Sequence, residues 1–145
     1  MKKLMFAGGL VTLLAACASG PQFTTDQIVR PADMTPVLTD RSALVTKGEA
    51  LWNDKSLSSN GLACSSCHVG NVAAFKTTFK EPYPHQVEMA SDMGGLETID
   101  ADGMVQLCML VPMKADILPW DSEELAALTA YVVDVVQPDY QQKAP

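Results

Sequence analysis

The apolar positions of this chain cluster in an N-terminal leader and then recur with helical spacing between residues 40 and 137. Leu44, Gly48, Leu51 and Trp52 fall at i, i+4, i+7 and i+8, which is one face of a helix. Thr39 or Asp40 can cap that helix, and it should end near Asn53. A second stripe runs through Leu125, Leu128, Val132, Val135 and Val136. Asp121 or Ser122 is placed to cap it, and Glu123 and Glu124 occupy the first turn, where carboxylates suit the helix dipole. Pro138 is expected to end it. Between the two helices, Pro82, Pro84 and Gly94-Gly95 break the pattern, and a short helix is predicted around Asp102 to Leu110. No run shows the period-two alternation of a strand. The expected fold class is all-α: a small domain over 40–137 with its first and last helices as the main elements.

The flanks read differently. Lys2 and Lys3 precede an apolar stretch, Leu4 to Ala16, that is too short to span a bilayer comfortably. It ends in Leu14-Ala15-Ala16-Cys17, and small residues before a cysteine resemble the lipobox of bacterial lipoproteins. That resemblance implies cleavage after residues 1–16 and a lipid on the Cys17 sulfur; the plainer reading is a secretory leader cleaved slightly later, with Cys17 incidental. Ala18, in place of an aspartate, favours the periplasmic leaflet of an outer membrane by the same resemblance. Residues 17–39, with Ser19-Gly20-Pro21, Pro31 and Pro36, show no apolar period and are expected to be a lipidated tether. A flexible chain of that length reaches roughly 25–30 Å. Residues 138–145 are polar and expected to fray.

Charge narrows the partners. The chain has 10 Lys and Arg against 17 Asp and Glu, for a net charge of −7. Lys2 and Lys3 leave with the leader, which makes the exported protein more acidic still. Such a surface argues against nucleic acid and against electrostatic docking on anionic lipid, and it allows steering toward a basic protein partner.

The candidate chemistry centres on Cys64-Ser65-Ser66-Cys67-His68. Cys-x-x-Cys-His is the attachment sequence for haem c. Two thiols add across the porphyrin vinyl groups, a two-residue bridge lets one backbone turn reach both, and the next histidine faces the iron from the proximal side. A zinc site would want a second ligand pair, and a redox disulfide would sit in a βαβ pattern. Neither setting is present in the sequence.

Together with Gly48-Glu49-Ala50-Leu51-Trp52 and Asn60-Gly61, the motif resembles the start of a class I cytochrome c domain. In that family a glycine and an aromatic on the first helix cross the last helix at a leucine and an aromatic; Gly48 and Trp52 with Leu128 and Tyr131 match in type and spacing. The resemblance implies one covalent haem held by Cys64 and Cys67, with His68 as proximal ligand. It also implies a distal methionine before the last helix, a place that Met113 occupies. The distal candidates are Met89, Met93, Met104, Met109, Met113, His85 and Cys108. His85, between Pro84 and Gln86, is expected to be solvated. The other methionines are expected to fill the core or sit in loops.

Cys108 competes with Met113. With Cys17 assigned to lipid and Cys64 and Cys67 to haem, it is left without a partner. Gln106-Leu107-Cys108, Met113-Lys114, Leu118-Pro119, Ser122-Glu123-Glu124-Leu125 and Ala127-Leu128-Thr129-Ala130-Tyr131 resemble thiosulfate dehydrogenases and the A subunit of the sulfur-oxidising cytochrome complex. That resemblance implies a thiolate ligand at Cys108. The arginine that those proteins commonly carry just before the cysteine is absent, as is a second haem domain.

Three functions are compatible with these residues. The first is a membrane-anchored electron carrier between redox proteins of the periplasm, with Glu88, Asp92, Glu97, Asp100, Asp102 and Asp116 as an acidic rim for a basic partner. The second is an enzyme of thiosulfate or sulfur compound oxidation working through Cys108. The third is a haem sensor that exchanges its distal ligand for a diatomic gas. No Ser/His/Asp set, phosphate loop or second metal motif offers other chemistry.

Overall fold

A computed structural model describes residues 23–37 and 39–144. Cys17 and the leader lie outside them. Six helices follow in order: α1 (Arg41–Trp52), α2 (Cys64–Cys67), α3 (Glu88–Gly94), α4 (Ala101–Leu110), α5 (Glu123–Tyr131) and α6 (Gln137–Lys143). Short 3-10 turns fill several of the connections. Among the described residues, β structure is limited to one antiparallel bridge between His85 and Ile99. The all-α expectation holds.

Local chemistry sets the helix ends. The Asp40 carboxylate accepts from the Ser42 and Ala43 amides and caps α1, while Ser122 Oγ accepts from the Leu125 amide at 3.2 Å and caps α5. α3 stops at Gly95, whose left-handed φ of 66° lets the Leu96 amide turn back to the Ala90 carbonyl.

Among the described residues, the α1–α5 crossing is the densest contact between elements. A Cβ on Gly48 would lie 2.2 Å from the Ala127 carbonyl oxygen and 2.6 Å from Tyr131 Cβ. Only a glycine allows the helix axes that close. Trp52 and Tyr131 pack beside it, ring centroids 5.8 Å apart. Lys47 donates to Glu124 at 2.7 Å and Arg41 makes a two-point contact with Asp134 across the same seam.

Both flanks depart from the sequence reading. The supposed tether folds from Phe23 onward. Phe23 and Ile28 are buried with Ala90, Ile99 and Leu107 in a core cluster of their own. Gly103 on α4 makes room for this strap, since a Cβ there would lie 2.3 Å from the Ile28 carbonyl oxygen. Arg30 locks the strap by donating to Asp102 at 2.7 Å and to the Trp120 carbonyl at 2.5 Å, with its guanidinium over the Trp120 ring. Two apolar side chains and one arginine in a polar stretch carry no period, so the sequence pattern could not reveal them.

At the other end, Pro138 does not stop the helix. α5 runs into a π-helical turn, Val132–Val136, where the Gln137 amide reaches the Val132 carbonyl five residues back. That shift seats Pro138 in the first turn of α6, where its missing N–H costs nothing. α6 then docks: Tyr140 is buried, and Gln137 donates to the Phe79 and Glu81 carbonyls at 3.0 and 2.7 Å. The expected frayed end is a clamp on the segment that follows the cysteine motif.

Candidate haem site

α2 is a single turn whose ends carry Cys64 and Cys67, and the backbone leaves helical geometry at His68. Gly70, Asn71 and Ala74, all at positive φ, fold the next residues back underneath. The fold-back brings the Ala73 carbonyl to 3.1 Å from His68 Nδ1. A carbonyl only accepts, so Nδ1 carries the proton and Nε2 keeps its lone pair for a metal. Burial holds the His68 pKa below its ordinary value, against the pull of that carbonyl. Trp52 stacks near the imidazole at 5.5 Å, and His68, Phe75 and Phe79 form a continuous ring stack with 4.0 Å between successive centroids.

These groups face a cavity of about 380 Å³, within the ~300–1,000 Å³ typical of small-molecule sites. Cys64, Cys67 and His68 line it together with Cys108, Met109, Met113, Met104, Met89 and His85. Nine of the ten predicted site residues, drawn from segments far apart in sequence, therefore meet in one apolar space. Met93 does not join them; it packs against the Phe23–Ile28 cluster instead. The three cysteines among the described residues are all free thiols, and no group of three or more His, Cys, Asp and Glu side chains is arranged there to chelate a bare ion.

Burial dominates the electrostatics. It pushes the Cys64 thiol up to about 11 and the Cys108 thiol up to about 12, with the neighbouring cysteines adding to the rise at Cys108. Tyr83, beside Cys108, is raised for the same reasons. Hydrogen bonds tie α4, which carries Cys108, to the loop that carries Met113. Gln106 is fully buried on α4, donates to the Leu118 carbonyl at 2.6 Å and accepts from the Leu118 amide at 2.9 Å. It thereby fixes the loop carrying Met113, and Ser59 and Asn60 tie the same loop down through Lys114 and Pro112.

Two expectations need correction. His85 is not solvated: it is 5 % exposed, and neither ring nitrogen has a hydrogen-bond partner. Asp102 does not belong to an open acidic rim, because it is paired with Arg30. Sequence reasoning also passed over Phe75, Phe79 and Tyr83, whose spacing of four gives the only signal that they share a wall.

A one-turn Cys-x-x-Cys-His, an oriented imidazole and an apolar cavity closed by crossing terminal helices define a c-type cytochrome domain. Residues 47–137 match the family model described as SoxA/TsdA, cytochrome c domain, and the chain belongs to that family. Comparison with curated proteins and with solved structures gives no match. The family is related to sulfur-oxidising cytochromes, its cytochrome c domain implies covalently bound haem c, and such domains are typically periplasmic. It supports haem-based electron transfer or sulfur oxidation. The donor set fits that cofactor: paired thiols, a histidine with a free Nε2, and soft sulfur side chains on the cavity wall.

Proposed function

We propose that this protein is a monohaem electron carrier of the cell envelope, anchored to a membrane through lipid on Cys17. Cys64 and Cys67 form the thioether bonds, His68 is the proximal ligand, and Cys108 takes the distal position with Met113 as the alternative. Family membership favours Cys108. Its apolar burial makes a free thiolate costly, and a metal cation supplies the compensating charge. When bound, haem c contributes a one-electron iron couple whose potential follows its axial ligands. The chain's own residues do the rest: Ala73 orients His68, the ring stack excludes water, and Gln106 with Ser59 and Asn60 fixes the distal wall.

The observation that carries the carrier reading is the lack of an available cation in the cavity. Lys76 is the only Lys or Arg among its described lining residues, and it lies 3.3 Å from Glu88. A sulfur oxyanion beside the haem would meet a lining that is mostly apolar, with a single cationic side chain to compensate its charge. Electrons need only an exposed edge and a docking surface. Exposed Asp92, Glu97, Asp100 and Asp116 remain for a basic partner once Asp102 and Glu88 are set aside. Among the described residues no helix is long and apolar enough to cross a membrane.

A sulfur-oxidising enzyme is the second reading, favoured by the position of Cys108 on the cavity wall. Thiosulfate with ferricyanide separates the two. The haem-loaded protein should show no turnover above a haem-only control, and turnover that disappears in Cys108→Ala would replace the carrier with the enzyme. The ferric spectrum assigns the ligand: a thiolate-type low-spin signal should persist in Met113→Leu and vanish in Cys108→Met.

A further inference from the structure

Among the described residues, two side chains hold buried polar atoms without a hydrogen-bond partner, Thr129 and His85, and of these His85 faces the cavity. Its ring is held in place from several sides. The backbone is pinned by the two-way bridge to Ile99, Tyr83 packs on the ring at 4.1 Å, and Phe79 meets it edge-on at 6.0 Å. The Glu81 and Pro82 carbonyls lie nearby, but neither meets hydrogen-bond geometry. An imidazole this enclosed would normally be bonded to protein. It lines the cavity, so its missing partner belongs to whatever fills that space.

The lining residues divide by chemistry. The cysteines and most of the methionines come from residues 64–67 and 104–113. Four residues with nitrogen or oxygen donors, Lys76, Thr78, Tyr83 and His85, all come from the single segment 76–85. A haem fixed through its vinyl edge to Cys64 and Cys67 carries its two carboxylates on the opposite edge. Its apolar ring suits the sulfur-rich walls, and its carboxylates need donors when withdrawn from water.

We infer that His85 is a positioning residue for this haem, donating a ring N–H to a propionate carboxylate at the edge remote from the thioether bonds. This rests on the haem reading above. Tyr83 holds the plane of the imidazole and the Ile99 bridge sets its depth. The axial position is left to Cys108 or Met113, the distal candidates of the proposed function, which line the same cavity.

The test uses the full chain matured with haem, as wild type, His85→Ala and His85→Gln. Mass spectrometry first establishes covalent haem; a wild type without it defeats the haem reading itself. With haem attached, resonance Raman should show the propionate bending mode shifted in His85→Ala and returned toward wild type in His85→Gln, whose amide can donate. The midpoint potential should fall in His85→Ala, because the carboxylate charge loses a compensating dipole, and recover in His85→Gln. The ferric spin state should stay unchanged in both. A switch to high-spin iron would make His85 an axial ligand and overturn the inference. An unmoved bending mode and potential would also overturn it, leaving a histidine that only fills space.

Discussion

The α1–α5 crossing and the cavity wall behind α2 are built on opposite principles. At the crossing, side chains complete one another: Gly48 admits the Ala127 carbonyl, and Trp52 and Tyr131 fill the flanks. Around the cavity, residues 61–87 run through single turns and positive-φ positions, held by a ring stack and by two glutamines from α6. The first region is finished by protein alone. The second encloses a space of about 380 Å³ and leaves His85 unsatisfied, so its folding is completed by its occupant. A domain of this size has little core to spare, and the prosthetic group is expected to act as a core element.

The largest effect should come from removing that element. Cys64→Ala/Cys67→Ala protein, made without covalent haem, is expected to lose cooperative unfolding and near-ultraviolet circular dichroism while retaining helical signal. A native, sharply melting apoprotein would erase the distinction between the two regions.

Next in size is Gly48→Val, which attacks the crossing. Overpacking typically costs about 1–3 kcal/mol, and the clash here is with backbone, so the upper end is expected. Denaturant midpoints of the haem-loaded protein measure it. A fall comparable to wild-type scatter would mean that the helices can separate without loss.

The smallest is Gln106→Leu, on the wall. It keeps the volume but leaves the Leu118 amide and carbonyl unpaired, at about 1–3 kcal/mol. The comparison is sharpened by a second readout: exchange protection should fall in residues 111–118 and stay unchanged in α1. Uniform loss across both would show that wall and crossing unfold as one unit.

What the sequence made legible follows the same division. Leu44, Gly48 and Trp52, with Leu128 and Tyr131, revealed the crossing because helix–helix packing leaves a period of three and four. Cys64, Cys67 and His68 marked the candidate attachment point because that chemistry demands fixed local spacing. The strap stayed hidden because Phe23, Ile28 and Arg30 act through single long-range contacts with no repeat. α6 stayed hidden because a proline reads as a stop unless a π turn precedes it. His85 read as solvated because flanking Pro84 and Gln86 say nothing about the Phe79 and Tyr83 rings that cover it.

The strap bears on the mechanics of the proposed anchoring. Only five residues separate Cys17 from the buried Phe23, a span of at most about 21 Å over the six Cα steps when fully drawn out. A lipid at Cys17 would therefore moor the domain on a short line whose load enters at α4, the helix bearing Cys108. Donors and acceptors must then come alongside at the bilayer surface, and collisions between them become largely two-dimensional.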